Sequence, residues 1–257
     1  LQSGRKSRIM EIKLLDHGYC NLVTSWGSDE SVIEAARMST NKGFQQWGPI
    51  HETPEVCRLH PQHCQCKLKE GDEKLLRYLW EHKHLTPFEM SGLCVEMQLP
   101  IFVAREIIRH RTFSFNELSA RYTPLPDLYY IPSIERIRAG KQSAKNKQGS
   151  AEGFSNEEAL QLQTEIYLAT GVARKIYEDL LGNGMARELA RIVVPVSQYT
   201  RWRMQGVLRN WLQFLELRLG EGVQQETKEY ALAVAKIVEA RFPRTYALFN
   251  NRGDDGR

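Results

Sequence analysis

Strand-like and helical segments follow one another in mixed rather than alternating order along these 257 residues. That order predicts an α+β fold, a small twisted mixed or antiparallel sheet packed against helices, with a further helical region. Two observations bound the expectation. A chain of this length is near the upper end for one domain and buries a sizeable core without disulfides or metal. Hydrophobic residues at 42% and charged residues at 26% are ordinary for a soluble globular protein. No apolar run approaches the roughly 18 residues a membrane span needs. Residues 10–250 read as the domain, with an insertion loop at about 41–71; residues 1–9 read as an added or disordered basic arm and residues 251–257 as a disordered tail.

The elements are justified in chain order. Met10 to Asp16 alternates apolar and polar and reads as a strand, with Cys20 to Ser25 pairing across Asp16-His17-Gly18. Ser28 is placed to cap a helix over Ser31 to Met38, whose apolar stripe is Val32, Ile33, Ala36 and Met38. From Asn41 to Gly71 the periodicity stops, and Gly43, Gly48, Pro49, Pro54 and Pro61 punctuate a polar stretch too long for an ordinary connection. Leu75, Leu76, Leu79 and Trp80 restore helical spacing over Glu73 to His82, and Thr86-Pro87 reads as a cap followed by a first-turn proline. Leu93 to Leu99 alternates and predicts a half-buried strand; Pro100 then opens a helix from Ile101 to about Arg109. Beyond it the pattern predicts helices near Asn156 to Leu181 and Ala186 to Ile192, a strand near Ser197 to Gln205, and helices near Leu208 to Leu219 and Gln224 to Ala240.

Cys20, Cys57, Cys64, Cys66 and Cys94 are an odd number, and Leu1 to Ile9 contains no apolar stretch of the secretory kind, so reduced thiols in a cytoplasmic protein are expected. A net charge of +4 permits anionic partners without implying nucleic acid.

The densest functional signal is Arg109-His110-Arg111-Thr112-Phe113-Ser114-Phe115-Asn116-Glu117-Leu118-Ser119-Ala120-Arg121-Tyr122. Planar guanidinium groups suit bidentate contact with phosphate, and Asn, Ser and Glu side chains suit the polar edge of a heterocycle. By composition alone the same run reads more readily as a solvated basic loop at a helix end.

The spacing Arg-His-Arg, seven residues, then Ser at Arg109, His110, Arg111 and Ser119 resembles the signature of the flavin-dependent thymidylate synthases. The resemblance extends over Met10 to Met38, Gly71 to Arg121 and Arg187 to about Val234. It implies reductive methylation of dUMP to dTMP, with FAD as the flavin, NADPH as its reductant and 5,10-methylenetetrahydrofolate as the carbon donor. It also implies a homotetramer whose active sites lie at subunit interfaces. Position by position, it assigns FAD contacts to His84, Thr86, Arg109, His110, Arg111, Asn116, Glu117, Arg209 and Gln213. It assigns dUMP contacts to Glu106, Arg109, Glu117, Leu118, Ser119, Ala120, Arg121, Arg191 and Arg218, with Arg218 the catalytic residue that stabilises charge at the uracil N3 edge as C5 becomes nucleophilic. The chain departs from the family pattern at Gly222, where several relatives carry histidine, at Val207 for a polar residue, at Gln213 for asparagine and at Glu106 for a frequent glutamine.

Other chemistries are weaker. Ser119 lacks an evident base and is assigned to binding rather than attack. No Pro-Cys-His tripeptide offers a cysteine nucleophile, and Cys20 and Cys94 fall in strands as structural residues. Neither Gly-x-Gly-x-x-Gly nor Gly-x4-Gly-Lys-Ser/Thr occurs, which disfavours a Rossmann domain or a P-loop. Cys57, His60, Cys64 and Cys66 form a possible zinc set with weak spacing, so no metal is expected. Two alternatives stay open: a nucleic-acid-binding module on Arg105 to Arg121 with Phe113 and Phe115 interleaved, and an inactive relative that keeps the fold.

Overall fold

The computed structural model describes residues 11–48, 50–51, 68–140 and 153–251. The zinc set at Cys57, His60, Cys64 and Cys66, the arm at 1–9 and nearly all of the tail lie outside the described residues.

Strand β1 (Glu11–Leu14) returns as β2 (Gly18–Trp26), antiparallel, with Ile12 opposite Cys20. Ser28 then caps α1 (Asp29–Arg37) in a capping box with Ser31, which satisfies amides that a helix start leaves without partners. A short antiparallel pair, β3 (Ile50–His51) and β4 (Leu68–Lys69), precedes α2 (Asp72–Glu81). After a 3-10 turn at Thr86–Glu89 come β5 (Gly92–Pro100), α3 (Ile101–Ile107), β6 (Ser114–Glu117) and α4 (Ile134–Arg138). The remainder is α5 (Asn156–Gly182), α6 (Arg187–Ala190), β7 (Tyr199–Val207), α7 (Leu208–Arg218), α8 (Gln225–Arg241) and α9 (Pro243–Asn250). The α+β expectation holds: the larger sheet has the order β1-β2-β5-β7-β6 and is open and antiparallel.

Four local expectations are corrected. The strand at 93–99 is buried along both faces, with only Glu96 partly exposed, because β5 lies in the middle of the five-stranded order. Thr86 does not cap: Leu85 occupies that position, and Thr86 and Pro87 form the first residues of the turn. Helix α3 stops at Ile107 rather than near Arg109. Past it, His110 and Phe113 amides bond the carbonyls of Ile107 and His110 in successive tight turns. The basic run is therefore not a loop throughout, since residues 114–117 pair antiparallel with β7.

The chain forms two compact units. The described residues of the first are 11–23, 94–140, 153–205 and 214–234; those of the second are 24–48, 50–51, 68–93, 206–213 and 235–251. In the first unit, the amides of Ile101 and Phe102 at the start of α3 bond the carbonyls of Gln198 and Val196, which sets where that helix begins. Tyr230 on α8 is fully buried and donates to the Gln98 carbonyl at 2.5 Å; a Cβ at Gly18 would stand 2.2 Å from its hydroxyl, so only glycine fits there. Helix α5 starts from a Ser155–Glu158 capping box and packs on α4 and α6.

In the second unit, Val32, Ile33, Leu76, Trp80 and Phe88 form the core. The buried carboxylate of Asp29 accepts from the amides of Arg244 and Thr245 and from the Thr245 hydroxyl, placing an anion at the start of α9. The described flank of the insertion is tied down: Gln45 N–H donates to Asp72 at 2.7 Å, Gly48 N–H to Glu73 at 2.7 Å and Trp47 Nε1 to Glu30 at 2.5 Å.

Candidate active site

In the first unit an open cleft of about 690 Å³ lies along α3, β7 and the segment that follows β6. Glu117, Leu118, Ser119, Ala120 and Arg191, five of the residues assigned to the nucleotide, all line it. Their placement has local causes. Pairing of Glu117 with Trp202 and the bond from Leu118 N–H to the Arg201 carbonyl at 2.8 Å hold the end of β6 against β7. The chain then turns at Ser119, whose carbonyl accepts from the amides of Tyr122 and Thr123 and whose hydroxyl accepts from Arg121 N–H at 3.3 Å. No carboxylate or histidine bonds the Ser119 hydroxyl among the described residues. Glu117 accepts from the Thr200 hydroxyl at 2.7 Å.

The cleft also contains residues that sequence reasoning missed. Arg105 is exposed, carries no ion pair among the described residues and lines the cleft with Arg191, giving it two cations. Its signal was present, since it begins the basic stretch, but it precedes the recognisable signature. Glu188 lines the same cleft, and its backbone carbonyl accepts from Arg191 Nε at 3.3 Å. Arg121 does not line the cleft and instead pairs with Glu188 at 3.5 Å.

Glu106, His110 and Arg218 form a second cluster in the same unit. Arg218 Nη1 donates to Glu106 Oε1 at 2.5 Å, its Nη2 to the Glu106 backbone carbonyl at 2.8 Å and its Nε to His110 Nε2 at 2.9 Å. The other carboxylate oxygen of Glu106 accepts from Thr227 Oγ1 at 2.5 Å. Burial and then the Arg218 charge push His110 down to about 4, so the ring is neutral near pH 7 and able to accept from the arginine. Its ring lies 5.0 Å from that of Phe214. The direct dUMP contact assigned to Glu106 meets a carboxylate already engaged on both oxygens.

Arg109, Arg111 and Asn116 are exposed, and neither arginine is ion-paired among the described residues. Two uncommitted guanidinium groups beside a neutral imidazole suit the diphosphate and polar edges of FAD. In the second unit, His84 and Thr86 line a cleft of about 820 Å³ with Ser39, Thr40, Lys42 and Lys83, another donor-rich wall suited to an anionic cofactor. Arg209 in that unit pairs with Glu89, and Gln213 is exposed.

Phe113 is buried and Phe115 packs 4.9 Å from Trp202, so these rings do not form an outward stacking platform for a nucleic acid. Cys20 and Cys94 are buried free thiols, and burial pushes Cys20 up to about 12, which fits a structural role. Gly222 has φ +72°, a backbone that glycine adopts readily and that disfavours a side chain at this position. No group of three or more potential metal ligands occurs among the described residues, and none of their helices is long and apolar enough to cross a membrane.

The family model described as thymidylate synthase complementing protein matches residues 21–244. A flavin-dependent thymidylate synthase from Thermosipho melanesiensis is 39% identical over 249 residues, covering 95% of this chain and 97% of the relative. Another from Kosmotoga olearia is 41% identical over 245 residues, covering 94% of each. Among solved structures, a UMP/dUMP methylase PolB from Streptomyces cacaoi bound with 5-Br UMP superposes with a TM-score of 0.76 at 29% identity, covering 94% of this chain and 98% of that one.

Proposed function

The chain belongs to the thymidylate synthase complementing protein family, and from that membership we propose that it is a flavin-dependent thymidylate synthase, converting dUMP to dTMP. The observation that carries the reading is the gathering of Glu117, Leu118, Ser119, Ala120 and Arg191 around one cationic cleft. Arg105 and Arg191 take the phosphate, and Ser119 adds a hydroxyl donor. Arg218 meets the uracil N3 edge and stabilises the negative charge that grows there as C5 attacks the one-carbon unit. The FAD contacts are those the family resemblance assigns, Arg109, His110, Arg111, Asn116, Glu117, His84, Thr86, Arg209 and Gln213. Bound FAD, reduced by NADPH, supplies the hydride, and 5,10-methylenetetrahydrofolate supplies the carbon. The protein contributes alignment and the exclusion of water.

The working form is a homotetramer in the cytoplasm. Supporting the assembly, α5 carries exposed Leu160, Tyr167, Leu168 and Val172, each more than half exposed, a larger apolar surface than an isolated helix keeps in water. Light scattering of the purified protein tests it: a monomer mass at micromolar concentration overturns the tetramer.

The function is tested by anaerobic turnover with FAD, NADPH, methylenetetrahydrofolate and dUMP, assayed for dTMP, beside Arg218→Ala. UMP is assayed in parallel because a similar solved structure carries 5-Br UMP. Product from the wild type and little from the variant support the function and the arginine's role. Failure to bind both dUMP and FAD sinks the reading.

A further inference from the structure

Both carboxylate oxygens of Glu106 are engaged by protein, one by Arg218 and one by Thr227. Thr227 is fully buried, so the anchor of this carboxylate sits on a rigid part of α8. The Glu106 backbone carbonyl takes a second nitrogen of the same guanidinium, and His110 takes the third. A guanidinium has five N–H groups, and one hydrogen bond at each of its three nitrogens leaves one N–H on Nη1 and one on Nη2. Because the group is planar and held at three points, the direction of those two remaining donors is set by the protein before any ligand arrives. Arg218 is 17% exposed and Glu106 26% exposed at the side chain, so the pair stays within reach of a ligand.

We propose that Glu106 is a positioning residue: anchored by Thr227, it orients the Arg218 guanidinium toward the uracil, and through Arg218 it holds His110 as the neutral tautomer protonated on Nδ1. This inference rests on the reading of Arg218 as the residue that meets the uracil. It reassigns Glu106 from nucleotide contact to alignment of the group that makes the contact. It also links a residue assigned to the nucleotide with one assigned to the flavin, since Arg218 Nε and His110 Nε2 share one hydrogen bond. Orientation of this kind matters because a donor fixed in advance toward developing charge needs no rearrangement during the reaction.

The test compares Glu106→Ala, Glu106→Gln, Thr227→Val, Arg218→Ala and the double variant Glu106→Ala/Arg218→Ala in the full chain with FAD bound. Steady-state kinetics are measured with dUMP, and ¹⁵N NMR follows the His110 ring. Glu106→Ala is expected to lower kcat by about 100-fold, the loss typical of a misplaced charge-stabilising donor. Glutamine keeps an acceptor for Arg218 and a polar partner for Thr227, so Glu106→Gln returns kcat to within about fivefold of wild type. Thr227→Val falls between them, and the double variant is no slower than Arg218→Ala, because the two residues act as one unit. The His110 ring shows an accepting Nε2 in the wild type and loses that fixed state in Glu106→Ala. Thermal melts separate these effects from misfolding, and the glutamine variant keeps the test valid if the alanine variant fails to fold.

A kcat for Glu106→Ala within about threefold of wild type, or losses that add in the double variant, overturn the positioning role. If the wild type makes dTMP and Arg218→Ala does so equally well, the catalytic reading of Arg218 falls and this inference with it. If the wild type makes no dTMP, the proposed function falls, and the His110 ring then decides alone: an unchanged spectrum in Glu106→Ala overturns the coupling, and a changed one upholds it.

Discussion

Two arginine–glutamate pairs in the first unit are anchored by adjacent residues in the first turn of α8, and they do different things. At Glu226 the carboxylate itself is buried, at 3% exposure. It receives Arg136 Nε at 2.7 Å and Nη2 at 3.3 Å and the Tyr130 hydroxyl at 3.0 Å. At Thr227 a buried hydroxyl reaches out to Glu106, and the ion pair it supports stays partly exposed beside a histidine. Burial acts to raise the Glu226 carboxyl, but the hydrogen bonds and charge of Arg136 outweigh it and hold the group below its ordinary value. Burial, with the neighbouring carboxylate, pushes the Tyr130 hydroxyl up. Every member of that cluster is thereby locked in one protonation state near neutrality. The difference teaches that an ion pair whose carboxylate is buried and fully engaged works as a strut, whereas the same residue types with a partly exposed carboxylate, set beside a titratable ring, keep donors for something else.

The comparison breaks most sharply at Glu226. Glu226→Ala leaves a half-buried guanidinium and a buried phenol without their acceptor and is expected to cost about 1.5–3 kcal/mol in urea melts, the worth of hydrogen bonds to a charged group, while turnover per folded molecule is kept. A loss under about 1 kcal/mol would remove the distinction between strut and site. Next in size is Arg191→Ala, which removes a charge from the cleft and should raise KM for dUMP by about 10- to 100-fold, the worth of a hydrogen bond to a charged group, without altering the melt. An unchanged KM would move the phosphate elsewhere.

His110 sharpens the contrast through pH. Its folded value of about 4 lies below the ordinary 6.5. Below 6.5 the unfolded chain binds a proton that the folded chain refuses, so this contribution to stability is full above 6.5 and is lost as pH falls toward 4. His110→Gln should flatten the stability profile across that window; an identical slope in the variant would count against the depressed value. The smallest effect is expected at Ser28, the cap of α1 in the second unit. Ser28→Ala should lower stability by about 1 kcal/mol with turnover unchanged, a control for purely local loss.

Much of the fold was legible because it is local. The β1–β2 hairpin, the Ser28 cap, the opening of α3 at Pro100 and the long α5 each follow from side chains within a few residues of one another. The signature at Arg109 to Tyr122 was legible for the same reason, as residue types at fixed spacing, although the strand inside it was hidden by its polar composition. The short α4 and α9 were not anticipated: α4 spans little more than one turn, and α9 is started by the carboxylate of Asp29, 215 residues from Arg244 in sequence.

By itself the sequence determined the α+β class, the family resemblance and which side chains are chemically capable of binding an anionic heterocycle. Tertiary structure alone decided their roles. Arg191 and Arg105 share a cleft, Arg121 is turned to Glu188, and Arg218 is committed to a glutamate 112 residues away. The physical reason is that an arginine's charge is a property of its residue type, but whether that charge is spent on the protein or kept for a ligand depends on which distant partner the fold brings within hydrogen-bond reach.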